Sequence, residues 1–314
     1  MTVNRLLRSV LSSRSRAVQI LGQAMAAPLS ATMDRAFQDR QISWNGRASC
    51  LLLSFDCDFP EDVFALPDLV ELMHDYEIGG SFACVGRWVA DYPAEHRAVV
   101  EHGQEIVNHS FSHPELLNAP GKFVSVRDDL TDRRWGELNL AEKAQEVVEC
   151  QRAVFETLGC RPRGFRAPHF GNVDPSDLYG ILQSEQMVYS TSVLAPRGER
   201  LGLPVWRGDV LEIPVTTCPR HPFASLDTWH ALYAKGGWHR HDFLGLLQDR
   251  LRRAVRFGAI TNIYLDPKDL ELAEFERFLA FIAELGDECW APTYSDFAAW
   301  YRGAYPPDGE EVGA

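Results

Sequence analysis

The chain has 314 residues, of which 46% are hydrophobic and 24% charged, a globular composition with enough apolar material for a large core. Lys and Arg total 31 against 44 Asp and Glu, and the net charge of -13 argues against bulk affinity for nucleic acid. Since no run of 18 apolar residues occurs, no membrane-spanning helix is expected.

Residues 1–45 are predicted to form an N-terminal extension with a basic amphipathic helix. Its apolar face is formed by Val3, Leu7, Val10, Val18, Leu21 and Met25. Three interpretations stay open: a helix packed on the domain or on a partner subunit, peripheral membrane contact through residues 3–25, and a weak export signal. Seven scattered cysteines without a Cys-x-x-Cys pair suit reduced thiols, so a cytoplasmic protein is expected. No feature indicates the oligomeric state.

Residues 46–303 alternate strand and helix patterns, and residues 304–314 are predicted to be a disordered acidic tail. The predicted strands are Cys50–Phe55, Gly80–Val85, Glu105–Asn108, Gly164–Arg166, Val188–Val193, Leu211–Val215 and Ala259–Leu265. The predicted helices are Pro67–Tyr76, Ala94–Glu101, Leu140–Leu158, Ser176–Met187, Phe243–Phe257 and Leu270–Leu285. Repeated strand–helix units indicate an α/β fold with a parallel sheet, and seven or eight of them favour a closed barrel.

Polar clusters follow four of the predicted strands. They are Asp56-Cys57-Asp58, His109-Ser110-Phe111-Ser112-His113, Arg166-Ala167-Pro168-His169 and Leu265-Asp266-Pro267. In a barrel the carboxyl ends of the strands open on one face, which carries the active site. These four segments are therefore expected to converge.

The two histidines are candidate metal ligands. If their segment turns helically, His109 and His113 project to one side and can share a metal. A zinc protease of the His-Glu-x-x-His type is disfavoured, because Ser110 stands where the Glu would be. Asp58 is the natural third ligand, since a carboxylate and two histidines leave a position for water and substrate. Helix capping is the alternative role for Asp58.

The order of three motifs resembles the polysaccharide deacetylases, carbohydrate esterase family 4, which include chitin-oligosaccharide and peptidoglycan deacetylases. The motifs are Ser54-Phe55-Asp56-Cys57-Asp58, Asn108-His109-Ser110-Phe111-Ser112-His113-Pro114 and Gly164-Phe165-Arg166-Ala167-Pro168, and the resemblance extends over about residues 48–300. It implies a distorted (β/α)7-8 barrel that binds Zn²⁺ or another divalent ion such as Co²⁺ or Ni²⁺. It also implies an N-acetylated poly- or oligosaccharide, or its lipid-linked precursor, as the substrate.

Carried over by position, the resemblance implies Asp56 as the general base and Arg166 as the group that orients it. Asp58, His109 and His113 become the metal ligands. The first motif reads Asp-Cys-Asp where many members have Asp-Asp-Gly, which is similar to the allantoinase-like variant.

The last motif departs from the family pattern. Family members commonly carry Leu-His-Pro, whose His protonates the leaving amine, whereas this chain has Leu265-Asp266-Pro267. Asp266 can act as the acid only if burial raises its pKa. The alternatives are that another histidine reaches in (His169, His221, His239 or His241), that activity is reduced or lost, and that Asp266 only caps the helix after Pro267.

Two further groups of residues are candidates for the substrate pocket. They are the segment Glu212–His221 and the tryptophans Trp206, Trp229 and Trp238, with packing as the alternative role of the tryptophans. The sequence therefore predicts a metal-dependent N-deacetylase of amino sugars. Two alternatives remain: an allantoinase-like amidohydrolase acting on small molecules, and a catalytically degenerate glycan-binding protein.

Overall fold

The computed structural model describes residues 16–114, 125–127, 129–131, 133–169, 177–197, 200–219, 224–228 and 240–307. The strands are β1 Ser49–Cys57, β2 Gly80–Cys84, β3 Glu105–Asn108, β4 Gly164–Phe165, β5 Tyr189–Ser190, β6 Val205–Arg207, β7 Val210–Glu212, β8 Ile260–Leu265 and β9 Cys289–Trp290. The helices are α1 Arg16–Arg40, α2 Pro60–Phe64, α3 Leu66–Asp75, α4 Gly86–Asp91, α5 Pro93–Glu101, α6 Leu140–Leu158, α7 Leu178–Ser184, α8 Arg240–Phe257, α9 Leu272–Leu285 and α10 Tyr294–Ala304.

The strands form a single curled sheet in the order β6-β7-β5-β4-β3-β2-β1-β8. All neighbours from β7 to β8 in that order are parallel, as the strand–helix alternation predicts. The two ends approach each other where the amide of Thr216 donates a hydrogen bond to the carbonyl of Asn262 at 2.7 Å. Helices pack around this sheet, so the predicted distorted (β/α) barrel is confirmed.

The hairpin at the sheet edge differs from the all-parallel expectation. Strand β6 pairs with β7 in the antiparallel direction, and Gly208 between them has a positive φ of 61°. A short left-handed turn of this kind joins antiparallel strands directly, whereas a parallel pair needs a long crossover. Strand β9 was also not predicted, and it pairs with Ser49 and Cys50 at the start of β1.

Strand β1 is buried along its whole length. Every residue from Ser49 to Cys57 is buried, which matches its continuous apolar run. On one side Phe55 stacks on Phe82 with ring centroids 4.5 Å apart, and its edge meets Phe275 of α9 at 5.8 Å. The strand continues two residues beyond the predicted end, so Asp56 lies in β1 rather than after it.

Helix α6 has the predicted bounds because both of its ends are encoded locally. The Asn139 side chain accepts a hydrogen bond from the Glu142 amide, and the Glu142 carboxylate accepts one from the Asn139 amide. Gly159 ends the helix in the left-handed conformation, with a φ of 74°. Helices α2, α4 and α10 were not predicted.

The N-terminal segment packs partly on the barrel. Phe37 of α1 and the nearby Trp44 are buried in an apolar cluster with Phe297 and Tyr301 of α10. Asp34 of α1 forms an ion pair with Arg253 of α8. Of the predicted amphipathic segment 3–25, residues 3–15 lie outside the described part of the chain. Among the helices described, none has the length and apolar character needed to cross a membrane.

The cysteines are mostly buried. All seven lie in described parts of the chain, where none is paired in a disulfide. Six are buried, and Cys160 is half-buried. Burial of this kind is typical of cysteines that pack as small apolar side chains. Of the predicted acidic tail, residues 308–314 lie outside the described residues.

Candidate active site

Three potential metal ligands meet at the carboxyl ends of β1 and β3. The Oδ1 atom of Asp58 lies 3.2 Å from Nε2 of His109 and 3.2 Å from Nε2 of His113. Asp58 Oδ1 and His113 Nε2 are buried and have no hydrogen-bond partner among the residues that the structure describes. Buried polar atoms are rarely left in this state unless an ion or water completes them. The donor set therefore fits a divalent cation held by one carboxylate and two imidazoles.

The histidine segment is a loop and not the helical turn considered from the spacing. Ser110 and His113 both adopt positive φ values, 65° and 50°. The loop is held by Glu146 of α6, whose carboxylate accepts hydrogen bonds from the Phe111 amide at 3.0 Å and the Ser112 amide at 2.8 Å. A left-handed backbone at non-glycine residues is strained and concentrates at functional sites. The two imidazoles thus converge through a tight loop, with ring centroids 4.8 Å apart.

A hydrogen bond fixes which nitrogen of His109 faces the cluster. Its Nδ1 lies 2.8 Å from the carbonyl oxygen of Arg166, so Nδ1 is the donor. In the neutral imidazole this leaves a lone pair on Nε2, the atom that faces Asp58. The backbone of the Arg166 segment therefore orients one of the candidate ligands.

The charges within the cluster shift the pKa values of its members. Burial alone would raise the pKa of Asp58, but the neighbouring His113 and His109 hold it well below the usual range. Burial lowers the pKa of His109, while Asp58 and Asp56 raise it by more. The lowered pKa of Asp58 favours its ionised carboxylate, which is the form that binds a metal ion.

Asp56 lies beside the cluster and is held by a buried arginine. Its Oδ1 accepts a hydrogen bond from Nη1 of Arg166, and its Oδ2 lies 4.0 Å from Nε2 of His109. The other terminal nitrogen of Arg166 donates to Ser54 at 2.8 Å and Tyr294 at 2.6 Å. Arg166 is fully buried, so its position is fixed by these partners. Asp56 consequently keeps one carboxylate oxygen directed toward the cluster.

Asp266 follows β8, the neighbour of β1, and lies near the same cluster. Its Oδ2 accepts a hydrogen bond from Oγ1 of Thr228, and the same Oγ1 accepts one from the Asp266 amide at 2.7 Å. Burial raises the pKa of Asp266 well above its usual value, although Lys268 opposes this. The negative charges of Asp62 and Asp58 contribute to the same rise. A carboxyl group in this setting favours its neutral, protonated form.

Lys268 is shared between two carboxyl groups. Its Nζ lies 3.1 Å from Oδ1 of Asp62 and 4.0 Å from Oδ1 of Asp266. Burial raises the pKa of Asp62 to about 7, while Lys268 partly offsets that rise. The ammonium group therefore interacts most closely with Asp62, and this leaves burial as the main influence on Asp266.

Of the other residues predicted to line the substrate pocket, one lies at the site and one lies away from it. His169 lies at the site, with its ring 5.1 Å from that of His113. Trp206 lies elsewhere, because its indole nitrogen donates to the Tyr305 carbonyl at 2.6 Å and its ring contacts Arg302. Trp229, Trp238, His221 and His239 lie outside the described residues, and the side chain of His241 is likewise outside them.

The predicted pocket segment Glu212–His221 does not line a single pocket in its described part. The Glu212 carboxylate is buried and accepts hydrogen bonds from the amides of Ser192 at 2.8 Å and Val193 at 3.0 Å. It thus supports a backbone turn. Residues Thr216 to Pro219 line a separate pocket beside α1 and α8.

Several supporting residues were not found from the sequence. The Tyr294 hydroxyl forms hydrogen bonds with Arg166, Ser54 and Asn262 in one buried network. In sequence it lies 128 residues from Arg166 and 240 residues from Ser54. Glu146 is one of several acidic residues on the polar face of α6, and nothing in the sequence distinguishes it as the one that binds the loop at Phe111 and Ser112. No local sequence signal identifies such partners, because only the fold brings them together.

The fold and the site together define a distorted (β/α)-barrel protein with a carboxylate–histidine–histidine cluster at the carboxyl ends of its strands. Residues 45–177, less than half of the chain, match the family model for polysaccharide deacetylase. This matching segment contains the Asp56-Cys57-Asp58, His109–His113 and Gly164–Pro168 motifs, so the chain is similar to polysaccharide deacetylases over its candidate metal ligands.

Two curated proteins are similar to parts of this chain, and both are named chitooligosaccharide deacetylase. A chitooligosaccharide deacetylase of Bradyrhizobium sp. (strain ANU 289) is 34% identical over 118 residues, which cover 37% of this chain and 44% of that protein. One of Sinorhizobium fredii (strain NBRC 101917 / NGR234) is 32% identical over 69 residues, which cover 22% of this chain and 31% of that protein. The chain thus spans less than half the length of these relatives.

Solved structures share the fold over most of the chain. A protein of Mycobacterium smegmatis assigned as a polysaccharide deacetylase has a TM-score of 0.66 at 17% identity, covering 87% of this chain and 97% of its own. Puue allantoinase has a TM-score of 0.63 at 16% identity, covering 84% of this chain and 94% of its own. At these identities the likeness concerns the fold alone, and it does not separate a deacetylase from an allantoinase.

Proposed function

We propose that this protein is a metal-dependent hydrolase that removes the N-acetyl group from an amino sugar in an oligo- or polysaccharide. The observation that carries the proposal is the meeting of Asp58 Oδ1 with Nε2 of His109 and of His113, each at 3.2 Å, beside the Asp56–Arg166 pair. The names of the two curated relatives support an N-acetylated glucosamine oligomer as the substrate class. A lipid-linked precursor of such a glycan is a narrower form of the same proposal.

Asp58, His109 and His113 would hold the divalent ion, for which Zn²⁺ is our first choice because it accepts nitrogen and carboxylate ligands in open catalytic sites. When bound, the ion supplies Lewis-acid polarisation of the acetamide carbonyl and of water. The buried, unpartnered ligand atoms of Asp58 and His113 support this assignment.

Asp56 would act as the general base. One of its oxygens is held by Arg166, and the other faces the cluster 4.0 Å from His109 Nε2, where the attacking water would lie. Asp56 accepts the proton from that water as it attacks the acetyl carbonyl carbon. Arg166 keeps the carboxylate oriented and stabilises its negative charge before the transfer.

Asp266 would act as the general acid in place of the family's histidine. Because burial raises its pKa, its carboxyl group carries a proton when the substrate binds. Asp266 gives this proton to the nitrogen as the C–N bond breaks, which releases acetate and the free amine. His169, whose ring lies 5.1 Å from that of His113, is the alternative proton donor.

The proposal is tested by incubating the zinc-loaded full chain with acetylated glucosamine oligomers and, separately, with allantoin. We expect acetate release from the oligomers, measured by an enzyme-coupled assay, and none from an Asp56→Asn variant that still binds zinc. Ring opening of allantoin without acetate release would favour the allantoinase-like alternative. Zinc binding with neither activity would favour a degenerate glycan-binding protein.

A further inference from the structure

A second pocket lies outside the candidate active site, in the seam where the two ends of the sheet approach. Its walls are helix α1, helix α8 and residues 216–219, and its volume is about 520 Å³. None of the Asp58, His109 and His113 side chains lines it. A concave pocket of this size is large enough for a small ligand.

The pocket carries an excess of positive charge. Arg250, Arg252, Arg253 and Arg256 of α8 all line it, whereas its carboxylates are those of Asp34 and Asp249. Four guanidinium groups against two carboxylates leave an excess of two positive charges in a chain whose net charge is -13. Because the rest of the protein is acidic, this local reversal of sign indicates a site for an anion.

The two carboxylates pair with Arg252 and Arg253 and not with Arg250. The Asp249 side chain is 79% exposed and pairs with Arg252 at 3.0 Å on the outside. Asp34 is buried and forms an ion pair with Arg253. Within the described part of the chain, Arg250 donates one hydrogen bond, from Nη2 to the Ile260 carbonyl at 3.3 Å, and its buried Nε has no partner there.

Burial lowers the pKa of Arg250 to about 10, and the neighbouring Arg253 adds to that effect while Asp34 opposes it. Because Arg250 lines the pocket, an anion bound there would offset the cost of burying its guanidinium charge. The guanidinium fork suits a phosphate group, which can accept two parallel hydrogen bonds.

From this geometry we propose that the pocket between α1 and α8 binds a phosphate-bearing ligand through Arg250 and Arg256. A phosphate monoester carries a charge of about -1.5 to -2 near pH 7, which matches the excess of two positive charges. The apolar side chains of Leu29, Met33 and Phe257 line the same pocket and would contact a nonpolar portion of the ligand. Two sources have this chemistry: the headgroup of a phospholipid and a soluble phosphate.

The test uses the full chain after chelator treatment, so that no metal in the active site competes for phosphate. Binding of inorganic phosphate is measured by isothermal titration calorimetry. Binding to vesicles is measured by sedimentation, with vesicles of phosphatidylcholine alone and with added phosphatidic acid. The variants are Arg250→Gln and Arg256→Gln. Arg277→Gln is the matched control, because Arg277 lies on α9, is 65% exposed and pairs only with Glu274 in its own helix among the described residues.

We expect the wild type and Arg277→Gln to bind phosphate alike, and each pocket variant to bind about tenfold more weakly. If Arg250→Gln does not fold, as judged by circular dichroism, the Arg256→Gln variant decides. Sedimentation that requires both phosphatidic acid and the pocket arginines assigns a lipid headgroup. Phosphate binding without such sedimentation assigns a soluble ligand. The proposal is overturned if the wild type binds neither probe, or if all three variants lose binding equally.

Discussion

Two buried aspartates, Asp56 and Asp266, lie at the carboxyl ends of the neighbouring strands β1 and β8, and their surroundings differ in charge. Asp56 bonds to the buried guanidinium of Arg166. Asp266 bonds instead to the neutral hydroxyl of Thr228, and its nearest ammonium group, on Lys268, lies 4.0 Å away and closer to Asp62. Asp56 is thus paired directly with a guanidinium charge, whereas Asp266 bonds to a hydroxyl and shares its ammonium neighbour with Asp62.

The proposed roles of the two carboxyl groups follow from the groups that surround them. Arg166 holds one carboxylate oxygen of Asp56 and leaves the other directed toward the cluster, where a base is needed. Burial raises the pKa of Asp266, which favours the protonated form that an acid requires. The predictions below test this contrast, beginning with the largest expected effect.

Removing the base should have the greatest consequence for turnover. In Asp56→Asn we expect kcat for acetate release to fall by about 10³-fold or more, because Asn cannot accept the proton of the attacking water. Zinc content, measured by mass spectrometry of the dialysed protein, should stay at the wild-type level. If instead kcat is unchanged, Asp56 is not the base and the contrast with Asp266 loses its meaning.

Removing the acid should have a smaller effect and a distinct dependence on pH. In the wild type kcat should decline as the pH rises through the raised pKa of Asp266, since only its protonated form can donate. Asp266→Asn should lower kcat by about 10²-fold and abolish that alkaline decline. A variant that keeps the decline with reduced kcat would assign the proton donor to another group, of which His169 is the nearest candidate.

The contrast also predicts a change in stability. Because burial raises the pKa of Asp266 in the folded chain, that chain binds more protons than the unfolded one between the unfolded and folded pKa values. The contribution of Asp266 to stability is therefore complete at low pH and is lost as the pH rises through the folded pKa. Asp266→Asn cannot ionise, so its Tm relative to wild type should be higher at pH 8 than at pH 4.

Thermal unfolding of the chelator-treated proteins measures this difference in Tm. A change of about 1 kcal/mol in the free energy of unfolding shifts Tm by about 2–4 °C. Thr228→Val provides a comparison, because it removes the hydrogen-bond partner and leaves the carboxyl group in place. An Asp266→Asn difference that does not vary with pH would contradict the raised pKa.

The smallest effect is expected at the loop that carries the histidines. Glu146→Gln weakens the hydrogen bonds to the Phe111 and Ser112 amides and should lower zinc affinity by about tenfold, as for other residues that orient ligands. Glu149→Gln, one turn away and bonded to the exposed Gln145 side chain, is the matched control. Equal zinc affinities in the two variants would show that Glu146 does not position the loop.

The sequence predicted those parts of the molecule that local patterns encode. Helix α6 has a capping box at Asn139 and a glycine stop at Gly159, so both of its bounds could be read directly. The continuous apolar run at Cys50–Phe55 predicted a strand buried on both faces, and every residue of β1 is buried. The barrel then follows from the repetition of strand and helix units, because right-handed crossovers keep consecutive parallel strands adjacent.

The sequence could not predict features that depend on contacts between distant segments. The loop at His109 to His113 is left-handed at Ser110 and His113 because Glu146 of α6 binds its amides. The order of β6 and β7 depends on a two-residue turn that reverses the chain at Gly208. The raised pKa of Asp266 depends mainly on burial, which is not visible from the Leu265-Asp266-Pro267 motif itself.

The most direct test of the central claim is a zinc titration of the chelator-treated full chain by calorimetry, with wild type and His113→Ala compared. We predict one zinc ion per wild-type chain and at least about 100-fold weaker binding in the variant, because a ligand that faces Asp58 at 3.2 Å is removed. Circular dichroism should show that both chains are folded. Undiminished zinc binding by His113→Ala, or no zinc binding by the wild type, would contradict the account.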